Sequence, residues 1–111
     1  MKKVEAIIDP SEIKEVKNAL TKIGIQRMTI SQVDEFESQK RHREFYRGDT
    51  FVIDVVKELK IEIMVPTDEM VSQVIEAIEK NTKAENIGDR EISVFPVEKV
   101  IHLRTHACHS A

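Results

Sequence analysis

VEAIIDPSEIKEVKNALTKIG, residues 4–24, changes its grammar part-way along. Val4-Glu5-Ala6-Ile7-Ile8 is short and rich in β-formers, the composition of a strand. Asp9-Pro10-Ser11-Glu12 then reads as a helix start. Asp9 can cap, Pro10 suits the first helical position, and Glu12 stands where a capping box needs a carboxylate. Ile13, Val16, Leu20 and Ile23 follow at helical spacing and mark a buried stripe. Gly24 can close the helix in a left-handed conformation. A first strand feeding a first helix is therefore expected.

The rest of the chain continues the pattern. Residues 26–36 read as a second strand, with Met28, Ile30 and Gln32 on one face and Thr29, Ser31 and Val33 on the other. Leu59, Ile61, Ile63 and Val65 alternate with Lys60, Glu62 and Met64 in a third strand. Thr67-Asp68-Glu69 caps a second helix with the stripe Met70, Val71, Val74, Ile75 and Ile78. A polar loop covers 81–90. Residues 92–95 form a fourth strand and 99–105 a further short edge strand. The order βαββαβ predicts an α+β fold of the ferredoxin-like, split βαβ kind. Two helices cover one face of such a sheet. The other face carries Ile, Met and Val with no helix left to cover it, so a homo-oligomer is expected.

Composition narrows the class. The chain has 111 residues, enough for one domain. Hydrophobic residues make up 41% and charged residues 33%, which fits a globular chain rather than a disordered one. A net charge of -3 gives no general field for nucleic acid, so none is expected as a partner. No apolar run approaches the roughly 20 residues of a membrane span. Met1-Lys2-Lys3-Val4 shows no apolar signal region. The single Cys108 excludes an internal disulfide. A cytoplasmic protein is the expectation.

The segment 37–57 is unusually long for a connection between two strands. It carries Lys40, Arg41, Arg43 and Arg47 beside Glu37, Glu44 and Asp49, with Phe45, Tyr46 and Phe51 interspersed. Charges orient an encounter and aromatics supply buried area, so this is the composition of a partner-docking arm.

Met1-Lys2-Lys3-Val4-Glu5-Ala6-Ile7-Ile8, Met28-Thr29, Gln39-Lys40, His42, Glu44, Tyr46-Arg47-Gly48, Lys60-Ile61-Glu62-Ile63, Ile87-Gly88-Asp89 and Leu103-Arg104-Thr105 together carry a resemblance. The chain resembles the PII signal-transduction proteins along nearly its whole length. The resemblance implies one PII-like domain over 1–111, with a T-loop at about 37–57, a phosphate loop at about 82–91 and a C-terminal segment at 102–111. It also implies a homotrimer that binds adenine nucleotides in its intersubunit clefts and controls a transporter or enzyme through its T-loops. A transporter target would bring the protein to the membrane. No catalytic constellation is present in the sequence, so an enzyme is not expected.

By the same resemblance, the nucleotide pocket would draw on Ile7, Thr29, Glu37, Ser38, Gln39, Gly88, Asp89, Arg90, His102 and Arg104. Lys40, Arg41, Arg43, Phe45, Tyr46, Arg47 and Phe51 would dock the target. The family's phosphate loop reads Thr-Gly-x-x-Gly-Asp-Gly-Lys. Here it is Ala84-Glu85-Asn86-Ile87-Gly88-Asp89-Arg90-Glu91. Two glycines are replaced, by Glu85 and Arg90, and Glu91 takes the lysine position. A C-terminal arginine pair becomes His102 and Arg104. Fewer cations favour AMP or ADP over ATP. Gln39 keeps the position that helps to coordinate Mg²⁺. Glu58 replaces the lysine that pairs with 2-oxoglutarate, and Glu37 and Ser38 alter the approach to Gln39, so 2-oxoglutarate is not expected to bind tightly. Phe51 stands at the uridylylated tyrosine and has no hydroxyl to modify.

His106, Cys108 and His109 crowd the end of the chain. Imidazole and thiolate are ligands for Zn²⁺ or Cu⁺, and His42 could add another. A metal-binding or metal-responsive trimer of the same fold is the alternative reading.

Overall fold

The structure is a computed structural model and describes residues 1–37, 54–83 and 91–103. Strand β1 (Lys2–Ile8) leads through a 3-10 turn (Pro10–Glu12) into helix α1 (Ile13–Lys22). Strands β2 (Thr29–Glu37) and β3 (Asp54–Val65) follow, then helix α2 (Asp68–Lys80) and strand β4 (Ile92–Pro96). The sheet order is β2-β3-β1-β4, and every neighbouring pair is antiparallel. This is the expected α+β, ferredoxin-like arrangement.

Local chemistry explains the elements. Asp9 accepts the Ser11 backbone N–H at 2.9 Å, and Glu12 Oε1 accepts the Asp9 N–H at 2.9 Å, completing the capping box. The first turn is tighter than expected. Glu12 N–H donates to Asp9 C=O at 2.8 Å, an i→i+3 bond, so the α-helix proper starts only at Ile13. At the other end Gly24 has φ of 100°. Its N–H bonds Thr21 C=O at 3.0 Å while Ile25 N–H bonds Leu20 C=O at 3.0 Å, the Schellman pattern. Helix α2 is capped by Thr67, whose hydroxyl accepts the Met70 N–H at 3.2 Å.

The core lies between the helices and one face of the central strands. Val4, Ala6 and Ile8 of β1 meet Ile61, Ile63 and Val65 of β3. Val16 and Leu20 of α1 and Val74 and Ile78 of α2 close over them. Both helical stripes point inward as expected, with Ile13, Ile23, Met70 and Val71 packed at the margin.

Three boundaries differ from expectation. Strand β2 begins at Thr29, not at Gln26. Strands β2 and β3 also run further toward each other, to the pair Glu37↔Asp54. Residues 54–57, expected in the loop, are strand. Val55 and Val56 are β-branched and continue the ladder, and Phe36 stands opposite Val55. Finally, of the edge strand expected over 99–105, residues 99–103 form no strand and 104–105 lie outside the described residues. Residues 99–103 pair with none of the four strands, and Ile101 and Leu103 stand 72% and 89% exposed.

The helix-free face is more charged than expected. Ile7, Val33, Val56, Met64 and Phe95 alternate along it with Lys3, Glu5, Lys60 and Glu62. Lys3 Nζ lies 2.9 Å from Glu5, 3.8 Å from Glu62 and 5.3 Å from the centre of the Phe95 ring.

Candidate functional site

The end of β1 organises the region where the sequence placed nucleotide binding. Alternation turns Ala6 and Ile8 to the core and Ile7 to the open face, opposite Lys60 of β3. Thr29 opens β2 opposite Glu62, on that same open face. Strand β3 lies between them, so ordinary strand spacing sets Ile7 and Thr29 about 12 Å apart. They therefore border one face rather than touch.

A cleft of about 300 Å³ opens beside Ile7. It is lined by Ala6, Ile7, Ile8, Ile75, Ile78, Glu79, Thr82, Glu91 and Ile92. Ile75, expected simply in the core stripe of α2, contributes a wall here. Thr82, two residues before 84–90, and Glu91, directly after them, both line the cleft. Glu79 and Glu91 make its rim acidic. The apolar wall suits a flat ring, and the carboxylates disfavour a highly charged anion.

Glu12 holds one end of this region. It is 3% exposed, and its second oxygen, Oε2, accepts the backbone N–H of Lys83 at 2.7 Å. Lys83 is the last described residue before the connection. The sequence marks Glu12 as a capping residue but gives no sign of this second role.

The base of the arm is also built. Lys57 Nζ lies 3.2 Å from Asp34 Oδ1 across β2 and β3. Strand alternation places Lys57 on the helix side and Glu58 on the open side. Lys57 therefore cannot stand in for a lysine at position 58. A recess of about 390 Å³, lined by Pro10, Gln32, Val33, Asp34, Lys57, Glu58 and Leu59, lies at the same base.

The open-face charges are mutually stabilised. The hydrogen bond from Lys3 holds the Glu5 carboxyl below its ordinary value of 4.5, against a smaller opposing effect of desolvation. The same bond, aided by Glu62, holds Lys3 above 10.5.

A sequence model of the family described as nitrogen regulatory protein P-II matches residues 1–107. The chain belongs to the P-II family. Among curated P-II proteins it is 48% identical to that of Rhodobacter capsulatus and 46% identical to that of Pasteurella multocida. It is 42% identical to nitrogen regulatory protein P-II 1 of Escherichia coli K12. Each match spans 105 residues, 95% of this chain and 93% of the relative. P-II proteins are non-catalytic signalling proteins of nitrogen regulation. As a family they bind adenine nucleotides and act as homotrimers on target enzymes or transporters.

Of the residues assigned by resemblance, the structure places Ile7 and Thr29 as above. Glu37 ends β2, and His102 stands exposed after β4. Ser38, Gln39, Gly88, Asp89, Arg90 and Arg104 lie outside the described residues. So do Lys40, Arg41, Arg43, Phe45, Tyr46, Arg47 and Phe51 of the docking arm, and His106, Cys108 and His109 of the metal alternative. That alternative gains no support from the P-II match. Among the described residues no group of three His, Cys, Asp or Glu side chains is placed to hold a metal ion. Among them, too, no helix is long and apolar enough to cross a membrane.

Proposed function

We propose that this protein is a homotrimeric P-II signal transducer that binds an adenine nucleotide beside Ile7, AMP or ADP in preference to ATP. Nucleotide occupancy controls a target transporter or enzyme through the arm that springs from the Glu37↔Asp54 pair. The observation that carries this reading is the cleft at the end of β1. It has an apolar wall, and Thr82 and Glu91 on its lining flank the connection that holds Gly88, Asp89 and Arg90. Ile7 and Thr29 would line the base side. Gly88, Asp89, Arg90, His102 and Arg104 would face phosphates, and Glu37, Ser38 and Gln39 would sit where the arm leaves the cleft. Mg²⁺ would be held through Gln39 and the phosphates.

Acidic Glu79 and Glu91 on the rim support the preference for fewer phosphates, because each added charge meets repulsion there. The opposite facing of Lys57 and Glu58 supports weak binding of 2-oxoglutarate. The exposed Ile101 and Leu103, paired with none of the four described strands, support burial against another subunit. The protein would act in the cytoplasm and reach the membrane only through a transporter target.

Calorimetric titration with AMP, ADP and ATP, each with and without Mg²⁺, tests the ligand. ADP and AMP should bind more tightly than ATP. Absence of heat from all three at millimolar concentration would refute the nucleotide reading. Light scattering after gel filtration should give three times the chain mass, and a monomer would refute the trimer.

A further inference from the structure

Glu12 is a buried acid that joins two distant parts of the chain. One oxygen accepts the Asp9 N–H at 2.9 Å and the other accepts the Lys83 N–H at 2.7 Å. Asp9 directly follows β1, whose last residues line the cleft. Lys83 directly follows Thr82, also on the cleft lining, and precedes the connection to Glu91. The carboxylate thus fixes the distance between the cleft's β1 wall and the point where the phosphate-side connection departs. Both bonds are charge-assisted, the stronger class of protein hydrogen bond. The residue has no part in the binding chemistry proposed above.

We propose that Glu12 is a positioning residue for the nucleotide cleft, acting by holding the Lys83 backbone N–H against the β1–α1 corner. This inference rests on the nucleotide reading. The chemistry demands a carboxylate: glutamine has one acceptor oxygen, so it can satisfy Asp9 N–H or Lys83 N–H but not both. Asp would be one methylene too short to span the two donors. Loss of the tether leaves Lys83 free to move and the cleft unset before ligand arrives, so part of the binding free energy goes to ordering it.

The test uses the full chain, with ADP as the probe, and compares wild type with Glu12→Ala and Glu12→Gln well below the melting temperature of each. The Lys83 amide proton should resonate downfield in the wild type and move upfield in Glu12→Ala. Its hydrogen exchange should accelerate by about tenfold or more, as loss of a charge-assisted bond requires. ADP affinity should fall by about tenfold in Glu12→Ala, with Glu12→Gln intermediate. If Glu12→Ala does not fold, Glu12→Gln carries the comparison alone. A purely structural role would lower the melting temperature and leave ADP affinity within twofold, and that result overturns the inference. Failure of wild type itself to bind any adenine nucleotide overturns the functional reading instead, and this inference with it.

Discussion

Glu12 and Lys83, 71 positions apart, meet through a 2.7 Å hydrogen bond from the Lys83 backbone N–H to Glu12 Oε2. The contact ties the start of α1 to the end of α2 from a position that sequence marks only as a local cap. Replacing Glu12 with Ala removes an acceptor from two backbone donors in a largely buried place. The expected loss of stability is about 3 kcal/mol, at the upper range for charge-assisted hydrogen bonds. Urea denaturation at neutral pH measures it, and a loss below about 0.5 kcal/mol would show that water replaces the carboxylate at no cost.

Ile61 and Ile30 are directly paired across β3 and β2 and share the helix side of the sheet, yet their burial differs. Ile61 is 0% exposed and Ile30 41%, because β2 is an edge strand that the helices only partly cover. Ile61→Ala should therefore cost about 3–4 kcal/mol and Ile30→Ala about 1 kcal/mol. Denaturation midpoints of the two variants check the ordering. Equal losses would mean that Ile30 is covered in solution, as a subunit interface there would require.

Gly24 ends α1 at φ of 100°, and a Cβ built on it meets nothing within 4 Å. Gly24→Ala should thus cost about 1–2 kcal/mol from backbone strain alone. Gly24→Asn should cost less, since asparagine tolerates the left-handed region better. Comparable losses for both would point to a packing role for the glycine.

Lys3 and Glu5 set a pH dependence at both ends of the scale. Glu5 is held below 4.5, so its contribution is complete above that pH and is lost as pH falls through the lower folded value. Lys3 is held above 10.5, so its contribution is complete below that pH and is lost as pH rises through the higher folded value. Glu5→Gln should flatten the acid limb of stability below pH 4.5, while Lys3→Met should flatten the alkaline limb above 10.5 and weaken the acid one. Urea midpoints across pH measure both. An unchanged acid limb in Glu5→Gln would show that other carboxylates govern it.

Glu91 borders the cleft, and the resemblance to the P-II family would put a phosphate-binding lysine at its position. Glu91→Lys replaces repulsion with attraction at the rim. ATP affinity should rise by about tenfold or more, and by more than AMP affinity, because the effect scales with phosphate charge. Titration calorimetry at two salt concentrations measures it. An equal gain for AMP and ATP would place Glu91 away from the terminal phosphates.

The sequence by itself determined the element order, both helix caps, the glycine stop at Gly24 and nearly every inward-facing residue. These follow from local chemistry and from periods of two and about 3.6 residues, which act within a few positions of the chain. Its motifs also led to the P-II family, because they recur along the whole length. Tertiary structure alone decided what depends on distant partners. The β2–β3 ladder reaches Glu37↔Asp54 because two strands zip beyond the boundary that polarity suggested. Ile30 is exposed because its strand is an edge. Residues 99–103 form no strand because strand structure needs hydrogen-bonded pairing, and they pair with none of the four strands. Glu12 binds Lys83 because folding brings the ends of two helices to one corner. Hydrogen bonding across 71 positions leaves no periodic trace in sequence, so only the fold could reveal it.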